Sequence, residues 1–320
     1  MLRMPFRSLL PLVATVFILA PQVAVATPTD ETESLAEAAD EEARELPCTG
    51  RGLEYCNTTI VALRGTPLGL NLISDFGFRY HLAPDTDSDL FRGTYVEAGP
   101  SIGISPAYIW AGGYVQALPL AILQLRASAQ YVNYWGYQGY NVPIEDPEQG
   151  WSLSDLSNAE QRDRITTDGV MLRGTATPRY RSGRIVVTLE TDFIHIRMNE
   201  LERDRNASPD AFVPELYHEP YFDIVLEPED SILWFKPTLG YLIGSDLSNA
   251  YLLLAARWDR MQTSGSDISR DIAGLVYLWQ LPRSWNITGD PQLSGFVGAF
   301  LDHPSRDIAP YFGTQYTMRF

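Results

Sequence analysis

Lysine is all but missing from this chain. Lys236 is the only one, and arginine supplies the rest of the 24 basic side chains. Against 40 acidic residues they leave a formal charge of −16, a balance that excludes nucleic acid as a partner. Cysteine is nearly as scarce. Cys48 and Cys56 are too few for a disulfide-built scaffold, and no histidine lies near them to make a zinc site. After residue 26 no apolar run is long enough for a membrane-spanning helix. There is no repeat of fixed period and no long amphipathic helix beyond the acidic N-terminal segment, which excludes solenoids and bundles. Walker loops, Rossmann glycine patterns, CxxC pairs and G-x-S-x-G elbows are all absent. No cofactor is expected.

What is present begins at the N-terminus. "MLRMPFRSLLPLVATVFILAPQVAVA" places Arg3 and Arg7 before an apolar run from Leu9 to Ala20, then the small-x-small site Ala24-Val25-Ala26. This reads as a secretory signal peptide, residues 1–26, cleaved after Ala26. A retained anchor is the alternative, but the run is short for a span and contains Pro11. Residues 27–57 form an acidic N-terminal tail ending in the cysteine loop "CTGRGLEYC". The tail has little to bury and is expected to be disordered or weakly helical. Exported to an oxidising compartment, Cys48 and Cys56 are expected to pair. Residues 58–320 follow as one domain.

That domain alternates. In "AILQLRASAQYVNYW", Leu123, Leu125, Ala127, Ala129 and Tyr131 share one face, and Gln124, Arg126, Ser128 and Gln130 the other. "RIVVTLETDFIHI" sets Ile185, Val187, Leu189 and Phe193 against Thr188, Glu190 and Asp192, and "YLLLAARWDR" sets Leu252, Leu254, Ala256 and Trp258 against Arg257 and Asp259. Period-2 runs of this kind are strands with one greasy face. Twelve runs are read, at 68–82, 93–105, 107–118, 121–136, 166–180, 184–197, 220–227, 231–243, 250–261, 270–281, 285–302 and 309–320. "TTIVALRGT" at 58–66 is a further candidate.

Periodicity alone does not separate a soluble β-sandwich, apolar face inward, from a membrane barrel, apolar face on lipid. Many runs have the length of a tilted membrane strand, and aromatics gather near their ends, as in "YVNYWGYQGY" and "YLWQL". The chain closes on "APYFGTQYTMRF", where Phe312, Thr314, Tyr316, Met318 and Phe320 take one face. Gly313, Tyr316, Met318 and Phe320 occupy the spacing of the C-terminal assembly signal, and the chain resembles bacterial outer-membrane β-barrel proteins of the porin-like class. The resemblance implies an all-β fold, an antiparallel transmembrane β-barrel of about twelve strands within a range of ten to fourteen. It implies the outer membrane of a Gram-negative cell, outer-membrane lipids around the barrel, and recognition of the closing strand by the barrel-assembly machinery.

In a barrel the polar face lines the lumen. The inward charges are then Asp75, Arg79, Glu97, Arg126, Arg173, Arg179, Glu190, Asp192, Asp223, Glu227, Lys236, Arg257, Asp259 and Arg319, seven of each sign. Balance suggests a paired, partly filled lumen or a modest channel. The acidic excess falls in the two longest connections, 137–165 and 198–219. Counting strands back from a periplasmic C-terminus puts both on the periplasmic side, against the usual pattern of long outer loops. An error in the strand reading nearer the C-terminus would reverse this.

The function expected is a passive small-solute channel or an envelope structural protein. The alternatives are an outer-membrane lipid hydrolase or acyltransferase with a rim site, and a secreted β-sandwich. A rim enzyme needs a serine or histidine at a strand end, which His81 and His303 provide, while His195 reads as a lipid-facing girdle residue. Asp85, Asp87 and Asp89 alternate as in a calcium loop, but Leu90 stands where its glycine belongs. No metal is expected.

Overall fold

A computed structural model describes residues 48, 52–65, 68–83, 86–135, 143–144, 165–199, 202–203, 216–244, 251–282, 285, 287, 290–303 and 309–320. The signal peptide and acidic tail lie outside the described residues, as do Asp85 and most of the two acidic connections.

The strands are β1 (Leu53–Gly65), β2 (Leu68–His81), β3 (Tyr95–Ile104), β4 (Tyr108–Leu120), β5 (Leu123–Tyr134), β6 (Pro143–Ile144), β7 (Ile165–Ser182), β8 (Ile185–Met198), β9 (Glu202–Arg203), β10 (Leu216–Glu219), β11 (Ile224–Leu226), β12 (Glu229–Ile243), β13 (Tyr251–Thr263), β14 (Ser269–Gln280), β15 (Gln292–Asp302) and β16 (Pro310–Arg319). Among the described residues none lies in an α-helix, and no helix is long and apolar enough to cross a membrane.

Twelve strands, β1–β5, β7, β8 and β12–β16, pair antiparallel in sequence order, each with its neighbour. The ring closes where β1 meets β16, in the register Thr58↔Arg319 to Arg64↔Gly313. Asn57 and Phe320 exchange both backbone bonds at 2.9 Å beyond the last ladder pair. A closed ring leaves no strand edge unpaired, which is what allows a sheet to stand in hydrocarbon.

The ring has the expected number of members but not the expected membership. Residues 53–65 are a full barrel strand, so the barrel begins at Leu53 rather than 58, and Cys56 lies inside β1 instead of in a loop before it. The Cys48–Cys56 disulfide is present, and the Cys48 carbonyl accepts from Arg79 Nη1 at 2.9 Å. Conversely, 220–227 is not a wall strand. It belongs to a small separate sheet of order β11-β10-β6. The two corrections cancel in the count and reverse the sidedness. Both long connections now leave from the rim opposite Leu53 and Arg319, which is the usual place for the outer loops of such barrels.

Alternation sets the two surfaces. Leu125, Leu172, Leu239, Leu254, Leu275, Val297 and Phe312 are all exposed on the outside of the ring. So large a continuous apolar belt is what lipid covers. Their neighbours in sequence point into the lumen.

The lumen is partly filled. The hairpin of β10 and β11 packs Tyr217, Phe222, Ile224, Val225 and Leu226 against Tyr108, Trp110, Val132, Tyr134, Met171, Ile194, Ile196, Met198, Ile232 and Met261 of the wall. Burial of each such side chain is worth about 1.5–3 kcal/mol. The wall positions facing the hairpin are therefore apolar, although they lie on the lumen side.

Candidate functional site

The inserted hairpin is held at its tip by wall arginines. Arg64 of β1 donates to the carbonyls of Pro220 at 2.6 Å and Tyr221 at 3.0 Å. Arg270 of β14 donates to the Phe222 carbonyl. Glu219 closes the turn from within, accepting from the Phe222 amide at 2.5 Å and from Tyr134 Oη at 2.6 Å. Asp223 takes a left-handed backbone, φ 56°, a region that aspartate tolerates better than most residues. Its carboxylate meets His218 Nε2 at 3.1 Å, and its carbonyl meets His303 Nε2 at 3.2 Å.

Beside the hairpin lies a cavity of about 1240 Å³. Pro220 and Tyr221 form part of its lining, and the rest comes from strands on both sides of the ring. Its charged lining groups are Arg64, Arg126, Arg173, Lys236 and Arg257 with Asp75, Glu190 and Asp259.

The wall charges are paired in two networks. On one side Arg126 meets Asp75 at 2.9 Å, and Asp75 accepts from Ser101. Tyr114 connects this pair to the next, its ring 4.1 Å under the Arg126 guanidinium and its hydroxyl 2.6 Å from Glu97. Glu97 in turn binds Arg79 at 2.7 Å through Nε. On the other side Asp192 is enclosed by Arg173 at 2.8 Å and Lys236 at 2.7 Å, and Lys236 also reaches Glu190. The indole of Trp234 lies 3.8 Å from the lysine nitrogen and donates to Asp259 at 2.5 Å. Asp259 also takes Arg257 at 2.9 Å. A buried charge without a partner is very costly, so a lumen this narrow requires such pairing.

Of the fourteen residues read as lumen charges, ten lie in these two networks: Asp75, Arg79, Glu97, Arg126, Arg173, Glu190, Asp192, Lys236, Arg257 and Asp259. Arg319 faces Asp290 at 3.8 Å near the terminal rim, and Arg179 is exposed there with its Nε on the Ala121 carbonyl. Asp223 and Glu227 are the exceptions. Asp223 is a fully buried residue of the hairpin turn, and Glu227 lies between β11 and β12, outside the wall. Arg64 and Arg270 were missed. Arg64 belongs to the strand left out of the count. Its signal was the alternation Ile60, Ala62, Arg64 in the candidate run.

Gly313, Tyr316, Met318 and Phe320 lie on or just beyond the closing strand β16, where Gly313 pairs with Arg64 of β1. Asp87 and Asp89 are exposed between β2 and β3, and Asp89 lies 3.3 Å from Arg92. His81 and His303 are both buried, the first 3.5 Å from Glu54 and the second against Asp223. The lipid-side histidine has more company than expected. His195 Nδ1 is 3.0 Å from Ser231 Oγ, and its Nε2 is 4.0 Å from Glu229.

Burial raises the pKa of Glu219 above the ordinary 4.5, outweighing the hydrogen bonds from Tyr134 and the hairpin amides and the nearby His218, which favour the ionised form. The docked hairpin therefore holds the proton more tightly than the undocked one. Its seating is fully supported below about pH 4.5 and loses that support as the pH rises through the raised value. We expect proteolysis within 216–226 to quicken over that window, and Glu219→Gln to remove the pH dependence. Unchanged cleavage as the pH rises above about 4.5 would contradict this.

No protein-family model matches the sequence, and a search of curated proteins finds no match. Among solved structures, 37 chains match. They include the β domain of the Bordetella autotransporter Brka, at 12% identity over 83% of this chain and 99% of that one, with a TM-score of 0.44. The translocator domain of autotransporter NalP from Neisseria meningitidis matches at 11% identity over 91% and 99%, TM-score 0.42. KdgM porin matches at 6% over 83% and 98%, TM-score 0.33. With a closed ring of twelve antiparallel strands, apolar outside and charged within, this chain has the fold of a transmembrane β-barrel.

Proposed function

We propose that the chain is a passive channel for small polar solutes in the bacterial outer membrane, with its lumen narrowed by the hairpin Leu216–Leu226. The observation that carries this reading is the cavity of about 1240 Å³ beside the hairpin tip, lined by charged and polar groups from both sides of the ring. Outer-membrane lipids cover the apolar belt, and the closing strand with Gly313, Tyr316, Met318 and Phe320 is the handle for the barrel-assembly machinery. The test is single-channel recording of the mature protein in a planar bilayer, beside a variant in which a short Gly-Ser linker replaces 217–225. The native chain is expected to conduct, and the variant to conduct several-fold more. If neither conducts, the channel reading fails and a structural role in the envelope takes its place.

One arrangement favours a second reading, a lipid hydrolase at the outer rim. Ser231, His195 and Glu229 lie on the lipid-facing side of adjacent strands β12 and β8, with Ser231 directly opposite His195 in register. A nucleophile, a base and an orienting carboxylate in that order are the parts of acyl transfer. Covalent labelling by a fluorophosphonate that disappears in Ser231→Ala supports it. Absence of labelling in the folded native barrel rejects it.

A further inference from the structure

The balanced count of lumen charges hides an asymmetry in what the cavity sees. In each of three wall pairs the carboxylate is turned into the wall and the guanidinium toward the lumen. Side-chain exposure is 26% for Arg126 against 12% for Asp75, 24% for Arg173 against 0% for Asp192, and 26% for Arg257 against 8% for Asp259. The cavity lining repeats the pattern, with five cationic side chains and three carboxylates. Asp192, the most enclosed acid of the ring, does not line it. Three contacts run the other way, Lys236 with Glu190 (4% against 36%), Arg173 with Glu190 (24% against 36%) and Arg270 with Asp259 (3% against 8%), and of these carboxylates only Glu190 is broadly exposed.

We propose that the lumen selects small oxyanions, carboxylates and phosphates, by presenting these guanidinium groups at its narrow section. The proposal deepens the channel reading and rests on it. Arginine suits the role because its fork offers two parallel donors to a carboxylate or phosphate and its charge is fixed at any working pH. The wall carboxylates keep the forks in place from behind. They spend part of each fork's hydrogen-bonding capacity on one edge and leave the rest toward the lumen. Tyr221, Trp110 and Phe296 line the same space and add apolar surface to it.

The acidic excess of the chain does not oppose this. In sequence it falls in the segment 27–46 as well as in the connections 137–165 and 198–219, all outside the twelve wall strands, and salt screens solvated charges beyond about 8–10 Å. Selectivity is then set by the groups lining the narrowing rather than by those at the mouth.

The reversal potential of the mature protein under a KCl gradient tests the idea. Chloride is expected to permeate several-fold more readily than potassium. Succinate and inorganic phosphate, added separately, are each expected to reduce the chloride current. Current reduced by phosphate alone, or by succinate alone, assigns the solute to that one class and overturns the shared-oxyanion form of the proposal. Arg126→Gln should lower the preference for chloride. Glu190→Gln should raise it, and it leaves Lys236 paired with Asp192, so its fold is not in question. Potassium selectivity, no selectivity, or a preference unmoved by Glu190→Gln overturns the proposal while leaving the channel reading intact. If the protein does not conduct, calorimetric titration of the folded barrel with succinate and with phosphate separates the two ideas. Binding weakened by Arg126→Gln supports the anion site with the channel reading lost, and no binding of either rejects both.

Discussion

Asp192→Ala is expected to destabilise the barrel by about 3 to 5 kcal/mol, the usual cost of removing one member of a buried charge cluster. Asp192 has no exposed surface and lies between two cations, Arg173 at 2.8 Å and Lys236 at 2.7 Å, with Thr175 donating at 2.5 Å. Alanine would leave both cations facing each other in a cramped lumen, with only Glu190 nearby. Urea unfolding of the protein in lipid vesicles, followed by tryptophan fluorescence, measures the loss. Replacing the cluster as a whole, with Asp192→Leu, Arg173→Met and Lys236→Met together, is expected to recover most of it, because apolar side chains of similar volume need no partner. A loss under about 1 kcal/mol for Asp192→Ala would mean that water reaches this cluster freely.

Leu275→Arg is expected to cost about 2 to 4 kcal/mol, since it puts a charge in hydrocarbon near the middle of a spanning strand. Leu275 lies midway along β14 and is 67% exposed on the outer face. The next residue, Val276, lines the cavity, and Val276→Arg puts the same group where water is at hand. The pair of variants differs by one residue in position and not at all in chemistry. The first should insert poorly and melt early, and the second should do neither. Leu125, whose alternation is the most regular in the sequence, is a weaker probe. It is the third residue of β5, close to the terminal rim, where the penalty falls toward zero. Equal stability of the two β14 variants would mean that the outer face is not in lipid.

The wall was legible because a strand repeats every two residues and the two surroundings of a membrane barrel differ so sharply. Each residue from Leu123 to Tyr131 declared its side. The hairpin was not legible, though it was present in the letters. Ile224, Val225 and Leu226 are consecutive apolar residues, the mark of a strand buried on both faces. Reading Ile224 and Leu226 as one face of a wall strand passed over Val225 between them. The omission of β1 had a different origin. Its inward face carries Ile60, Ala62 and Cys56 with only Glu54 and Arg64 as charges, so its alternation is weak where it packs near the seam. The pairings lay beyond the sequence altogether. Asp75 of β2 meets Arg126 of β5 across two intervening strands, and no local pattern states how far a side chain reaches around a curved wall.

The ladder positions of the charge pairs bear on how the ring is put together without error. Lys236 stands directly opposite Glu190 where β12 joins β8, and Arg79 opposite Glu97 where β2 joins β3. A slip of one residue at either joint turns the whole strand over and drives its charges into lipid. A slip of two keeps the faces correct but takes Glu97 away from Arg79, and in one direction it sets Lys236 opposite Thr188 in place of Glu190. Neither mistake is cheap, and each is felt at the joint where it occurs, before β16 has found β1. Mismatched joints can thus come apart and re-form while the sheet is still open, and the seam closes on strands already proofread by their own charges.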